Sequence, residues 1–220
     1  IEFDLSYSNS HGLIVRSWTF LKFAIKSSLL VFTERYDLVF ATTTPLTAGI
    51  PGILARHIRR KPFVFEVRDL WPELPKAMGV ISNPLLIASL RALEWVCYRS
   101  AHHVISLSPG ISKGVLNLGV NASSVSLIPN GCDLEIFQVS KKTFEIPGIT
   151  ENDFTALYAG THGIANGLNT VLDVAKKLKQ KGRKDIKILL VGEGKTKDSL
   201  MYSADKDSLD NIIFLDPMNK

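Results

Sequence analysis

Apolar positions along this chain fall in short, almost continuous runs separated by longer amphipathic stretches. Residues 37–41 (DLVFA), 62–67 (PFVFEV), 103–107, 125–128, 154–159, 186–191 and 212–215 are too short for helices. They lack the strict alternation of a half-exposed strand, which predicts strands of a parallel sheet covered on both faces. Helical spacing fills the intervals. Helices are expected over 45–60, 84–100, 109–118, 166–180 and 195–204. Thr42-Thr43-Thr44 caps the first of these with Pro45 in its first turn, and Pro51-Gly52 is expected to bend it. In 166–180 the apolar stripe is Leu168, Val171, Leu172, Val174, Ala175 and Leu178, and the segment ends in Lys181-Gly182, a helix stop. The longest helical stretch, 12–34, holds Trp18, Leu21, Phe23, Leu29 and Phe32 around Arg16, Lys22 and Lys26. It is apolar on more than one side, as in a helix buried against a sheet or one that also touches a membrane surface.

The strand–helix rhythm breaks after Asp133, where Lys141, Lys142, Pro147 and Gly148 punctuate a stretch without period. It restarts at Phe154. Two doubly wound, Rossmann-like α/β domains in series are therefore expected: 1–137, a linker 138–153, and 154–220. The chain opens on Ile1 rather than Met and closes on Asp216-Pro217-Met218-Asn219-Lys220, just after a strand. Both domains are expected to be incomplete, with part of any active site outside the sequence.

Composition narrows this only slightly. With 45% hydrophobic and 21% charged residues, the chain has the balance of an ordinary globular α/β protein and not of a disordered one. No apolar run approaches the roughly 20 residues needed to span a bilayer, and no signal peptide is visible. Cys97 and Cys132 lie far apart and read as reduced thiols. The formal net charge of +5 is concentrated at Arg56, His57, Arg59, Arg60 and Lys61. That cluster fits a solvated helix end or attraction to anionic lipid headgroups; no stacking aromatics accompany it, so nucleic acid is not expected as a partner.

In open parallel sheets, ligands sit beyond the carboxyl ends of the strands. After Val67 comes Arg68-Asp69-Leu70-Trp71-Pro72-Glu73. Asp69 can take a proton from, or orient, a hydroxyl at the sheet edge. The alternative is an Arg68–Asp69 cap with Trp71 as packing. After Ala159 comes Gly160-Thr161-His162-Gly163-Ile164-Ala165-Asn166-Gly167, and after Val191 comes Gly192-Glu193-Gly194-Lys195. Glycines let main chain approach a ligand, and free amides before a helix attract phosphate. Glu193 can take ribose hydroxyls and Lys195 a phosphate; solvated turns are the bland alternative. His102 and His103 are expected to be structural, no His/Cys/Asp set has metal-ligand spacing, and Ser106 and Ser108 lack a nucleophile-elbow sequence.

Assembled, these segments resemble the retaining glycosyltransferases of family 4, which share the GT-B fold. The strongest piece is 63–73, FVFEVRDLWPE, which is similar to the subgroup building bacterial O-antigen, capsule and exopolysaccharide units. Ile128-Pro129-Asn130-Gly131-Cys132-Asp133 resembles the family's Pro-Asn-Gly-Val-Asp motif. Tyr158-Ala159-Gly160 and Val191-Gly192-Glu193-Gly194 are similar to its first two donor-domain junctions. The resemblance implies transfer from a nucleotide-diphospho-sugar, often a UDP sugar, to a lipid-linked saccharide acceptor at the inner face of the cytoplasmic membrane, without a metal or other cofactor. It places Arg68 and Asp69 on the acceptor side and Asn130, Gly131 and Asp133 near the hinge. Gly160, Thr161, His162, Gly163 and Asn166 fall at the donor diphosphate, and Gly192, Glu193, Gly194 and Lys195 towards the nucleoside. Where many members carry an Arg and a Lys to clamp the diphosphate, this chain has Thr161 and Asn166. A non-catalytic binding protein at a membrane assembly and a sugar-nucleotide epimerase are the alternatives.

Overall fold

The computed structural model describes residues 1–5, 13–135 and 146–218, with side chains in the first helix from Val15 onward. It contains two compact units, Ile1–Gly131 and Cys132–Lys220. The division falls inside the Asn130-Gly131-Cys132-Asp133 stretch rather than at 137, and residues 138–145 of the expected linker lie outside the described residues.

In the first unit, β1 (Val39–Thr42), β2 (Phe63–Val67), β3 (His103–Ser106) and β4 (Val125–Leu127) form a parallel sheet in that order. Helices α2 (Gly49–His57), α4 (Pro84–Ser100) and α5 (Pro109–Asn117) make the crossovers that parallel pairing demands. They are preceded by α1 (Leu13–Thr33), and a short α3 (Glu73–Ala77) follows β2, where no helix was expected. Phe63, Phe65 and Val67 are fully buried at alternate positions of β2, against Leu46, Cys97, Tyr98, Val104 and Val115. A Cβ on Gly52 would overlap the Phe63 ring, so α2 lies directly on the sheet. Two helices start as their sequences dictate. Asn83 Oδ1 accepts from the Leu85 and Leu86 amides ahead of α4, and Ser108 Oγ from the Ile111 amide ahead of α5; both have Pro at the first helical position.

The expected helix over 45–60 is shorter. A 3₁₀ turn (Leu46–Ala48) precedes α2, and no side chain caps either element, because the Thr42–Thr44 hydroxyls are engaged elsewhere. Pro51 and Gly52 interrupt nothing: Pro51 sits in the first turn of α2, where an amide would be unpaired anyway. In α1, Ala24 and Val31 are buried while Trp18, Leu29 and Phe32 are exposed. Among the described residues no helix is long and apolar enough to cross a membrane.

The second unit is a parallel sheet β5 (Phe154–Ala159), β6 (Ile186–Val191), β7 (Ile212–Leu215), with α6 (Asn169–Gln180) and α7 (Lys197–Lys206) as crossovers. Leu168, Leu172, Ala175, Ile188, Leu190, Leu200 and Ala204 form its core. Burial on both faces holds for the central β6. In β5, the outermost of these three strands, Phe154 is 67% and Leu157 65% exposed. The helix expected from 166 starts at Asn169, because Gly167 turns left-handed at φ 60° after a 3₁₀ turn over Ile164–Asn166.

Candidate functional site

Each unit gathers its chemistry at the carboxyl ends of its strands. In the first unit the centre is the loop after β2. Thr43, buried at the end of β1, uses one hydroxyl oxygen to accept from the amides of Arg68 (2.7 Å) and Asp69 (3.3 Å). Thr44 Oγ1 donates to Asp69 Oδ2 at 3.0 Å. Its φ of 83° is a costly conformation for a β-branched residue, of order 1–3 kcal/mol. Thr42 Oγ1 donates to Glu66 Oε2 at 2.5 Å, one rung back along the β1–β2 register. The threonine run that looked like a helix cap therefore fixes the next strand's exit. Asp69 is half-buried and Arg68 exposed, and the two form no ion pair with each other. Trp71 packs on the core, as the bland alternative expected of it.

Helix α4 grips the same loop from below. Arg91 Nη2 pairs with Glu73 Oε1 at 3.0 Å. One turn on, Glu94 is 6% exposed. Its Oε1 accepts from the Tyr98 hydroxyl at 2.9 Å. Burial pushes the Glu94 carboxyl up to about 7, against the pull of the Tyr98 hydrogen bond; burial likewise raises the Cys97 thiol to about 12 and the Tyr98 phenol. Sequence reasoning missed Glu94. The signal was an acid on the apolar stripe of α4, beside Leu90, Leu93 and Cys97.

His102 and His103 each meet a side-chain partner within the first unit. His102 Nε2 lies 2.9 Å from Arg56 Nη1, and His103 Nε2 lies 2.8 Å from Ser126 Oγ. Asn130, Gly131 and Asp133 are exposed beyond β4, with Asp133 Oδ1 accepting from the Glu135 amide.

In the second unit the loops after β5 and β6 are sewn together through the main chain. The Gly160 amide donates to Val191 O and the His162 amide to Glu193 O, at 2.9 and 2.8 Å. His162 O accepts from both the amide and the hydroxyl of Thr196. A Cβ on Gly192 would overlap the Gly160 carbonyl, and one on Gly194 the His162 carbonyl. Both glycines are thus required by the approach of the two loops to each other. Among the described residues the amides of Thr161 and Gly163 have no intramolecular partner. Thr161 and Asn166 are exposed.

The His162 ring does not face outward. It is fully buried beside the Tyr158 and Phe214 rings, with neither nitrogen hydrogen-bonded. Burial first, then the Lys197 ammonium, lowers its basicity, so it stands as neutral imidazole. Glu193 is tied to Lys197 Nζ at 2.8 Å, and the same Nζ reaches Asp216 Oδ1 at 2.6 Å. These bonds raise the Lys197 pKa and lower that of Asp216. Lys197, which the sequence reading passed over, is buried in this cluster, while Lys195 is exposed. Among the described residues no group of three His, Cys, Asp or Glu could hold a metal ion.

Comparison with known proteins also divides the chain in two, between 136 and 139. Residues 7–136 match the model of Glycosyltransferase Family 4, and 139–220 that of Glycosyl transferases group 1. No curated protein matches by sequence. Among solved structures, Anabaena HepE in complex with UDP is 19% identical, with a TM-score of 0.63 over 91% of this chain and 52% of its own. The lipopolysaccharide outer core galactosyltransferase WaaB is 17% identical, with a TM-score of 0.50 over 94% and 50%. A UDP-N-acetylglucosamine 2-epimerase is 10% identical, with a TM-score of 0.56 over 99% and 53%. The chain thus spans about half the length of these structures, and the likeness shows the fold.

Proposed function

The chain belongs to glycosyltransferase family 4, and on that premise we propose that it forms the larger part of the acceptor half and the start of the donor half of a retaining sugar-nucleotide glycosyltransferase. The observation that carries the proposal is the loop after β5. It offers two unpaired amides, Thr161 and Gly163, at the carboxyl edge of a parallel sheet, where a departing diphosphate can be stabilised by main-chain donors. The Arg and Lys of the family pattern are replaced here by Thr161 and Asn166, so the main chain carries more of that role. Glu193, Gly194 and the Lys197 cluster lie towards the nucleoside, with UDP as the nucleotide.

Asp69, held by Thr44, orients the acceptor hydroxyl towards the face from which the diphosphate departs. It takes the proton as that oxygen bonds to the anomeric carbon, so the configuration is retained. The bond from that carbon to the diphosphate breaks, and the leaving group carries away the electron pair. No metal is needed for these steps. The acceptor is a lipid-linked saccharide in cell-surface polysaccharide synthesis. The exposed cations Arg59 and Arg60 beyond α2 favour an anionic membrane surface, at the inner face of the cytoplasmic membrane.

The test is mass-detected transfer from UDP sugars to lipid-linked acceptors by the full-length natural protein. The proposal expects the acceptor to gain one sugar with the donor's anomeric configuration. Epimerised nucleotide sugar without transfer would move the protein to the epimerases. Nucleotide binding without turnover would make it a binding scaffold.

A further inference from the structure

Helix α1 is apolar on two sides, and only one of them meets the rest of the first unit. The helix packs on α2 and on the 3₁₀ turn Leu46–Ala48, with Ala24 and Val31 buried. Phe20, Phe23 and Leu30 face the groove between the helix and β1. At 3.6 residues per turn, Trp18, Leu21, Ile25, Leu29 and Phe32 form a stripe on the other side. All five are exposed, Trp18 by 56% and Leu29 by 61%. The helix carries charge of one sign only: Arg16, Lys22 and Lys26, with no acid in its 21 residues. Lys22 and Lys26 are exposed and follow Trp18 at one and two turns, along the flank of the stripe. Lys22 Nζ stands over the Trp18 ring at 5.6 Å. An apolar helix face that holds a Trp and is rimmed by cations alone has the chemistry of a boundary between acyl chains and anionic headgroups. Pairing two copies through this stripe would set lysines against lysines, with no carboxylate on the helix to offset them. The helix is not long and apolar enough to cross a bilayer, and a helix of this kind binds in the plane of the surface.

We propose that the outer face of α1 is a docking surface for an anionic membrane, with Trp18, Ile25 and Leu29 inserted at the level of the acyl chains and Lys22 and Lys26 among the headgroups. The transferase reading gave the membrane contact to the cations beyond α2; this surface is apolar first and electrostatic second. Its place suits that reading. The 3₁₀ turn beneath α1 follows Thr44, whose hydroxyl holds Asp69. A bilayer on the outer face stands one helix diameter, ~10 Å, from that turn, within reach of an acceptor hydroxyl carried on a lipid. The docking itself rests on α1 alone and is measured without turnover, so either reading can fail by itself.

The experiment is cosedimentation of the full-length natural protein with vesicles, made of phosphatidylcholine alone or of phosphatidylcholine and phosphatidylglycerol in equal parts. The wild type is expected to bind the anionic vesicles and to keep part of that binding at high salt, where a purely electrostatic contact is screened. Ile25→Ser and Leu29→Ser are expected to weaken binding about tenfold each. Lys22→Gln with Lys26→Gln weakens it about 25-fold, at roughly fivefold per cation. Thermal melts of these variants are expected to match the wild type, because the side chains removed are exposed. A wild type that leaves anionic vesicles unbound overturns the proposal, and so does undiminished binding by folded Ile25→Ser and Leu29→Ser proteins. A dimer that these two variants dissociate, with vesicle binding intact, would give the stripe to a second copy of the chain. Should the serine variants fail to fold, the lysine pair decides, since full binding by Lys22→Gln with Lys26→Gln contradicts the proposal equally.

Discussion

In the function proposed, Asp69 is the residue on which the acceptor chemistry turns, and its setting is expected to separate binding from reaction. Thr43 holds the main chain of Arg68 and Asp69, and Thr44 holds the carboxylate. An amide at the same position keeps the shape of those contacts but cannot accept a proton. Asp69→Asn is therefore expected to leave nucleotide affinity nearly unchanged and to slow transfer at least ~100-fold, the lower range for a general acid or base. Equal loss of both, measured by calorimetry and by turnover, would make Asp69 structural. The sequence showed Asp69 plainly, as a charge after an apolar strand. It did not show the threonines' part, because a Thr run before Pro has the same pattern whether its hydroxyls cap a helix or reach a neighbouring strand 24 or 25 residues away. Glu94 and Lys197 were hidden for a related reason. An acid inside an apolar helix face and a lysine in a helix's first turn acquire meaning only from partners brought in by the fold.

At the scale of elements, strands and crossover helices were legible because a parallel sheet writes its burial into continuous apolar runs. The errors sit at edges and termini. β5 has the composition of a buried strand and lies at the edge of the three strands described. The start of α6 moved to Asn169 because Gly167 takes a left-handed turn. The glycines after β6 were noted as chances for a ligand to approach, and the structure gives them a prior use in packing one loop against the other. Gly192 has φ 143° and no room for a Cβ against the Gly160 carbonyl. Gly192→Ala is expected to cost about 1–3 kcal/mol and to abolish nucleotide binding by displacing the Thr161 and Gly163 amides. Gly182→Ala is the comparison, since Gly182 has positive φ and nothing within 4 Å. It should cost about 1–2 kcal/mol and leave binding intact, as thermal melts and calorimetry can show. Equal losses of binding would remove the special place given to Gly192.

For the whole molecule, the two units carry buried titratable groups with opposite consequences. Glu94 in the first has its pKa raised by burial from 4.5 to about 7, so the folded state binds more protons than the unfolded chain between those values. That unit gains stability as pH falls from about 7, by roughly 3 kcal/mol at most. His162 in the second has its pKa lowered from 6.5, so the unfolded chain binds more protons there. That unit loses stability as pH falls below 6.5 towards the lowered folded value. Hydrogen exchange between pH 7 and 5.5, corrected for intrinsic rates, is expected to slow at the Phe65 amide and to quicken at Leu190. Parallel trends would contradict these assignments.

The central claim is that the second unit begins a donor site whose main chain holds a nucleoside diphosphate. Calorimetric titration of UDP, then GDP, into the full-length natural protein with a chelator present tests it most directly. Saturable binding of UDP with the metal removed, lost in Gly192→Ala, is the predicted result. Binding of neither nucleotide, by a protein shown to be folded, would contradict it.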